Sequence, residues 1–211
     1  MTDSMGNTFF LSSNLGYDED KLRQAFYFLN KGIEKFPTRL DIRFGKCYIL
    51  GAINDYQNLT AEIVRTVKYS VSINDQWLWT ENKKLDDPQK FMLGTVQAYL
   101  KQLYDTENDS LLRNIIEIGD MTLTYYPRNV EILSTTSVAY MLDKNYDKAI
   151  KYLKQAEDVN PKDYIVLNNI AQAYLRKDDK ANAKKYYELT IKYGDAEAIE
   201  SARKRLEELD R

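Results

Sequence analysis

The chain has 211 residues, 44% hydrophobic and 29% charged, and its 30 Lys and Arg against 32 Asp and Glu leave a formal net charge of −2. That balance supplies no general attraction for phosphate or anionic lipid, so nucleic acid is not an expected partner. Histidine is absent and Cys47 is the one cysteine. This removes the imidazole general base, the usual zinc or copper ligand set and any intrachain disulfide, and no metal site or cofactor is expected.

In chain order, residues 1–16 are rich in Gly, Ser, Asn and Thr and read as a flexible tail, with Phe9-Phe10-Leu11 placed to dock on the first helices. Met1 to Leu15 has no basic leader and no long apolar run, so the expectation is a cytoplasmic protein. No stretch approaches the roughly 20 apolar residues that cross a bilayer, and no membrane insertion is expected. Asp18, Glu19 and Asp20 then precede Leu22, Ala25, Phe26, Leu29, Ile33 and Phe36, acids standing where a helix N-terminus favours negative charge, and Pro37 ends that helix. A second helix over Arg39 to Ile53 carries Leu40, Phe44, Cys47, Tyr48 and Leu50 on one face, and a third is expected from about Thr60 to Ile73 after a turn at Asn54-Asp55-Tyr56. Cys47, one turn from Phe44, reads as a core thiol rather than a nucleophile.

Gln76 to Pro88 breaks the pattern and reads as an inserted loop holding Trp77 and Trp79. Helices are expected again over Gln89 to Tyr104 and Leu111 to Tyr126, closing at Pro127. From Val130 to Asp195 the same residues recur thirty-four apart: Ala139-Tyr140 over Ala173-Tyr174, Ala149 over Ala183, Tyr152 over Tyr186. A fixed period of this length signals stacked supersecondary units, here helix, turn, helix, stop, with Asp143-Lys144-Asn145 as the turn and Asn160-Pro161 as the stop. Ala196 to Leu209 then carries an apolar stripe of Ala198, Ile199, Ala202, Leu206 and Leu209 with charges elsewhere, as a terminal capping helix requires.

These residues resemble the tetratricopeptide repeat. Its pattern is met by Leu133, Thr136, Ser137, Tyr140, Ala149, Leu153, Ala156 and Pro161, then by Leu167, Ile170, Ala171, Tyr174, Ala183, Tyr187 and Thr190, with Asp195 where Pro is usual. A degenerate copy is expected earlier, Phe44-Gly45 with Tyr48 matching the Leu-Gly-x-x-Tyr spacing. Pro37 to Gly45 is also similar to a segment of bacterial repeat proteins, a resemblance that carries no function. The resemblance implies an all-α, right-handed α-α superhelix of about four helix pairs plus a cap. Its expected parts are a tail over 1–16 and a repeat domain over 17–211, with degenerate repeats in 17–127, clear repeats at 130–163 and 164–195, and the cap at 196–210.

The family's first helices line a concave groove, which implies a non-catalytic scaffold for a protein or peptide. Carried onto this chain, the groove residues are Ser134, Thr135 and Met141, then Asn168, Asn169, Gln172 and Arg176, beside Glu131, Val138, Leu142, Ile165 and Leu175. Amides there can both donate to and accept from an extended backbone. The plainer expectation for any one of them is a solvated helix face. A second reading, carbohydrate binding or cleavage, uses Trp77 and Trp79 as aromatic anchors with Glu81, Asp86 and Asp87 nearby, although such tryptophans more often plug a gap between helices. RNA binding is disfavoured by charge, self-association through exposed repeat faces is open to any array, and no catalytic residue is expected.

Overall fold

A period of thirty-four residues makes a structure only if the links between helices repeat as faithfully as the helices do. The computed structural model describes residues 18–209. Its helices are α1 (Glu19–Lys35), α2 (Leu40–Ala52), α3 (Tyr56–Ser72), α4 (Pro88–Asp105), α5 (Leu112–Tyr125), α6 (Val130–Leu142), α7 (Tyr146–Val159), α8 (Tyr164–Arg176), α9 (Lys180–Tyr193) and α10 (Ala196–Leu209). Among the described residues there is no β-strand, only isolated bridges at Arg39–Leu78 and Leu78–Lys84. Two compact units are present, Met1–Tyr99 and Leu100–Arg211, and the boundary falls inside α4.

The same link occurs three times within pairs. Asn54, Lys144 and Asp178 take positive φ of 59°, 62° and 64°. The next backbone N–H then donates back to the first helix, Asp55 to Leu50 O at 2.9 Å, Asn145 to Tyr140 O at 2.8 Å and Asp179 to Tyr174 O at 2.9 Å. Each of those residues also caps the second helix, accepting from Asn58 N at 3.2 Å, Lys148 N at 3.3 Å and Asn182 N at 3.0 Å. A second link joins successive pairs: Arg39 N donates to Phe36 O, Asn129 N to Tyr126 O and Asp163 N to Asn160 O, each across a proline at Pro37, Pro127 or Pro161. Proline withholds a donor that would have no helical acceptor there, so it stops the helix at little cost.

The first unit holds α1, α2, α3 and the first part of α4. Ala25, Leu29, Ile42 and Ile49 form a buried cluster with Leu22, Phe26, Ile33 and Phe36 packed against it. The shared links move the α2 register by two residues from the sequence expectation. Leu50, not Tyr48, stands where Tyr140 and Tyr174 stand; Leu50 is buried and Tyr48 is 46% exposed. Likewise Cys47 takes the place of Ser137 and Ala171, all three fully buried. α3 starts at Tyr56, a turn earlier than expected, because Asp55 rather than a later residue supplies the cap.

The second unit holds the rest of α4 and α5 to α10. Ala149, Leu153 and Ala156 of α7 and Ala183, Tyr187 and Thr190 of α9 are 0% exposed, facing the buried stripes of α6 and α8. Gly119 of α5 stands one period before Leu153, and a Cβ there would lie 2.0 Å from Thr136 Oγ1 and 2.9 Å from Thr136 Cβ. Glycine is therefore what lets α5 meet α6. α10 follows the shorter link Gly194-Asp195, where Asp195 accepts from Ala198 N at 2.9 Å and from the Tyr164 hydroxyl at 2.7 Å. It buries Ala202 and exposes Arg203, Lys204, Arg205, Glu207 and Glu208. The tail expected over residues 1–16, with Phe9-Phe10-Leu11, lies outside the described residues.

Gly119→Ala should lower unfolding free energy in urea by roughly 1–3 kcal/mol despite alanine's better helix propensity, and Thr136→Ala in the same chain should restore most of it. Tyr187→Phe should leave stability unchanged or raise it by about 1 kcal/mol, since the buried Tyr187 hydroxyl has no hydrogen-bond partner among the described residues.

Candidate functional site

On α8, Ile165, Asn168, Asn169, Gln172 and Arg176 recur three and four apart and so share one face, while Val166, Leu167, Ile170, Ala171 and Ala173 are buried on the other. Ile165 is 57% exposed, the three amides are half-buried and Arg176 is exposed in the last turn, where the helix carbonyls favour a cation. The side chains of Asn168, Asn169 and Gln172 make no hydrogen bond to another described residue, which leaves their donors and acceptors open. α6 packs beside α8. It presents Ser134, Thr135 and Val138 half-buried and Glu131 and Leu142 exposed.

Met141 does not belong to this face. It lies one turn beyond Ser137 on the stripe that packs inward, and it is 5% exposed. The face is thus an amide-rich centre with an apolar residue, Ile165, near one end and Arg176 at the other.

The tryptophan loop is a structural element of the first unit. Trp77 is 1% exposed, packs against Tyr69 with ring centroids 5.6 Å apart, and donates its indole N–H to Ser70 Oγ at 2.6 Å. Ser70 in turn donates to Asp75 Oδ1, whose other oxygen accepts from Gln89 Nε2 at 2.7 Å. Leu78 pairs by backbone with Leu40 and Thr38, which seats the loop against the start of α2. Trp79 is half-buried, edge-on to Phe91 at 5.0 Å. Trp77 therefore cannot stack on a sugar, and its expected role as an exposed anchor is corrected by burial. Glu81, Asp86 and Asp87 are exposed; Glu81 pairs with Lys83 and Asp87 caps Lys90 N.

Two polar clusters were not foreseen from the sequence. In the first unit Glu62 is 2% exposed and accepts from Lys46 Nζ at 2.8 Å and Arg65 Nη1 at 3.3 Å, with Arg43 Nη1 at 3.8 Å. The Arg43 guanidinium lies 4.4 Å over the Tyr69 ring, and its Nε donates to Pro37 O. Burial lowers the Arg43 pKa, opposed by the Glu62 charge. In the second unit Asp120 of α5 accepts from the hydroxyls of Tyr140 at 2.6 Å and Tyr152 at 2.8 Å, tying α5, α6 and α7. Burial and then those hydrogen bonds raise both phenol pKa values, which keeps the phenols protonated. One period on, Lys154 replaces Asp120 and bonds Tyr186 and Glu157, while Tyr186 packs on Tyr174. The signal for this cluster was in the repeat itself, since Tyr140, Tyr152 and their copies mark the positions that the intervening charge bridges.

Cys47 is fully buried, and desolvation, reinforced by the Glu62 charge, pushes its thiol pKa up and away from thiolate chemistry. Among the described residues no group of three Cys, Asp or Glu side chains is placed to hold a metal ion, and no helix is long and apolar enough to cross a membrane.

A family model described as tetratricopeptide repeat matches residues 134–163 and 164–193, the two segments built from α6 to α9. Residues 134–193 are two tetratricopeptide repeats. Among solved structures, the MamA RS-1 ArsTM double mutant is 14% identical, covers 91% of this chain and 93% of its own, and superposes with a TM-score of 0.51. MamA from Desulfovibrio magneticus RS-1, residue 41 to the end, is also 14% identical, with 91% and 94% coverage and a TM-score of 0.50. At that identity the likeness establishes the α-α repeat fold of this chain and nothing of its activity. No curated protein sequence matches it.

The buried carboxylate of the first unit has a measurable consequence. Glu62→Ala should cost roughly 3–5 kcal/mol in urea unfolding, because it strands the Arg43 and Lys46 charges in the interior, whereas Arg65→Ala, removing a side chain that is 64% exposed, should cost about 1 kcal/mol or less.

Proposed function

We propose that this chain is a non-catalytic scaffold that holds an extended peptide or a partner helix against the α6–α8 face. The observation that carries the reading is the set of amides at Asn168, Asn169 and Gln172, presented on a rigid helix and without hydrogen-bond partners inside the described protein. A helix surface that only needs to be soluble is usually charged; amides bridge to a peptide backbone by donating and accepting at once. Ile165 and Leu142 add exposed apolar area for a side chain of the ligand, and Arg176 favours an acidic group at one end. The clear repeats in this region support a partner that is a protein, and the burial of Cys47 and of Trp77 weighs against thiol chemistry and sugar stacking.

The test is a peptide array followed by titration of the tightest ligand. Asn169→Ala with Arg176→Ala should weaken binding by about tenfold or more while the helical circular dichroism stays the same. The Arg176 contribution should fall as salt is raised through the physiological range. Unchanged affinity in the double variant would remove this face from the assignment.

A further inference from the structure

Three helices of the second unit, α6, α8 and the capping α10, start in one register. Asn129, Asp163 and Asp195 cap them, each side chain accepting from the backbone N–H three residues on, at Ile132, Val166 and Ala198. One residue further, the N–H groups of Leu133, Leu167 and Ile199 donate to the cap carbonyls, all at 2.9 Å. α8 packs beside both of the others, and the Tyr164 hydroxyl at its start donates to the Asp195 carboxylate. Residues equally far from the three caps therefore stand level across the helices.

Counting from those caps lays out a gradient of charge. Two residues past them stand Glu131, Ile165 and Glu197, and Glu200 follows level with Asn168. The three carboxylates are exposed and make no ion pair or hydrogen bond among the described residues. Further along, Lys204 stands level with Gln172, and Arg176 lies in the last turn of α8, both exposed and likewise unpaired among the described residues. Glu208, level with Arg176, is already held by Arg205 at 2.9 Å. Acids thus gather where the face begins and cations where it ends, with about 16 Å of helical rise from Ile165 to Arg176.

We propose that the occupant of this face is an extended peptide of the opposite polarity, with a Lys or Arg over the Glu131–Glu197 end and an Asp or Glu over the Arg176 end, about five residues apart. This rests on the α6–α8 assignment above and specifies its ligand. The spacing is set by the backbone, since about 16 Å is five residues of extended chain at about 3.3 Å each, against eleven of helix. The middle of the face selects the extended form. Asn168, Asn169 and Gln172 stand there with open donors and acceptors, and an extended chain brings them unpaired N–H and C=O groups, whereas a helix has already satisfied its own. Ile165, 57% exposed and level with the two carboxylates, takes the aliphatic stem of the basic residue while the carboxylates draw its charge.

Capped synthetic peptides with one Lys and one Asp, three to eleven residues apart on an Ala-Ser chain and in both chain directions, are titrated against the full chain by fluorescence anisotropy. The tightest should carry its charges about five apart, and changing its Lys to Ala should weaken it roughly threefold to fivefold. The variant Glu131→Gln with Glu197→Gln and Glu200→Gln should weaken the Lys–Asp peptide by a similar factor and leave the Lys-to-Ala peptide unchanged, which marks a direct pairing. Both effects should fade as salt is raised. Binding that Asn169→Ala with Arg176→Ala removes, but that ignores the peptide Lys or is tightest at ten or eleven residues, overturns the proposal and leaves the face as the site. Binding that ignores Asn169 and Arg176 as well removes the face and the proposal together. No measurable binding at millimolar peptide overturns the proposal too.

Discussion

The close approach of paired helices along their small residues is the constraint on which the rest of the structure depends. Ser137 and Ala149, Ala171 and Ala183, and in the first unit Cys47, are all 0% exposed. Small side chains let helix axes come near enough for the larger neighbours to interdigitate at interior density. Only then can a link of three residues close the α2–α3, α6–α7 and α8–α9 pairs, because its back-bond to Leu50, Tyr140 or Tyr174 spans a fixed gap. Gly119 against Thr136 is the same requirement taken to its limit, with no room for even one methyl group.

Between layers the chain uses polar ties where apolar packing alone would leave register loose. Asp120 gathers two tyrosine hydroxyls from the next pair, and Lys154 does the corresponding work one layer later with the opposite charge. The tyrosines act as adaptors, since a hydroxyl accepts from an ammonium as readily as it donates to a carboxylate. The first unit has no tyrosine at either place. Leu50 and Glu62 stand there instead, and the carboxylate draws in Lys46, Arg43 and Arg65, with the Arg43 guanidinium over the Tyr69 ring. A buried ion group of this kind adds little net stability over an apolar core, but it penalises any arrangement that separates its members.

Function follows from what this packing leaves unused. Each first helix spends its small-residue stripe on its partner and its large residues on the neighbouring layer, so only one face remains for anything else. On α8 that face is rich in amides, and its rigidity comes from the buried residues behind it. The tryptophans, which chemistry alone would nominate for ligand stacking, are committed to sealing the loop over Tyr69 and Phe91. Their place in the first unit explains how the repeat survives an insertion between α3 and α4.

Much of this was legible from residue spacing. The helices, the prolines that stop them, the turns within pairs, the two clear repeats and the buried thiol all follow from local rules: proline's missing donor and helical periodicity act within a few residues. The amide face on α8 was legible for the same reason, being one stripe of one helix. What only the tertiary structure decided were matters of partnership between distant residues. Tyr48 matched the repeat's spacing yet faces solvent, because the register of α2 is set by its link to Asp55 and by Glu62 across the pair. Met141 and Trp77 looked available until the packing of α6 and the loop placed them inside. Spacing along one helix says which residues share a side; which side is buried depends on neighbours that only the folded chain brings together.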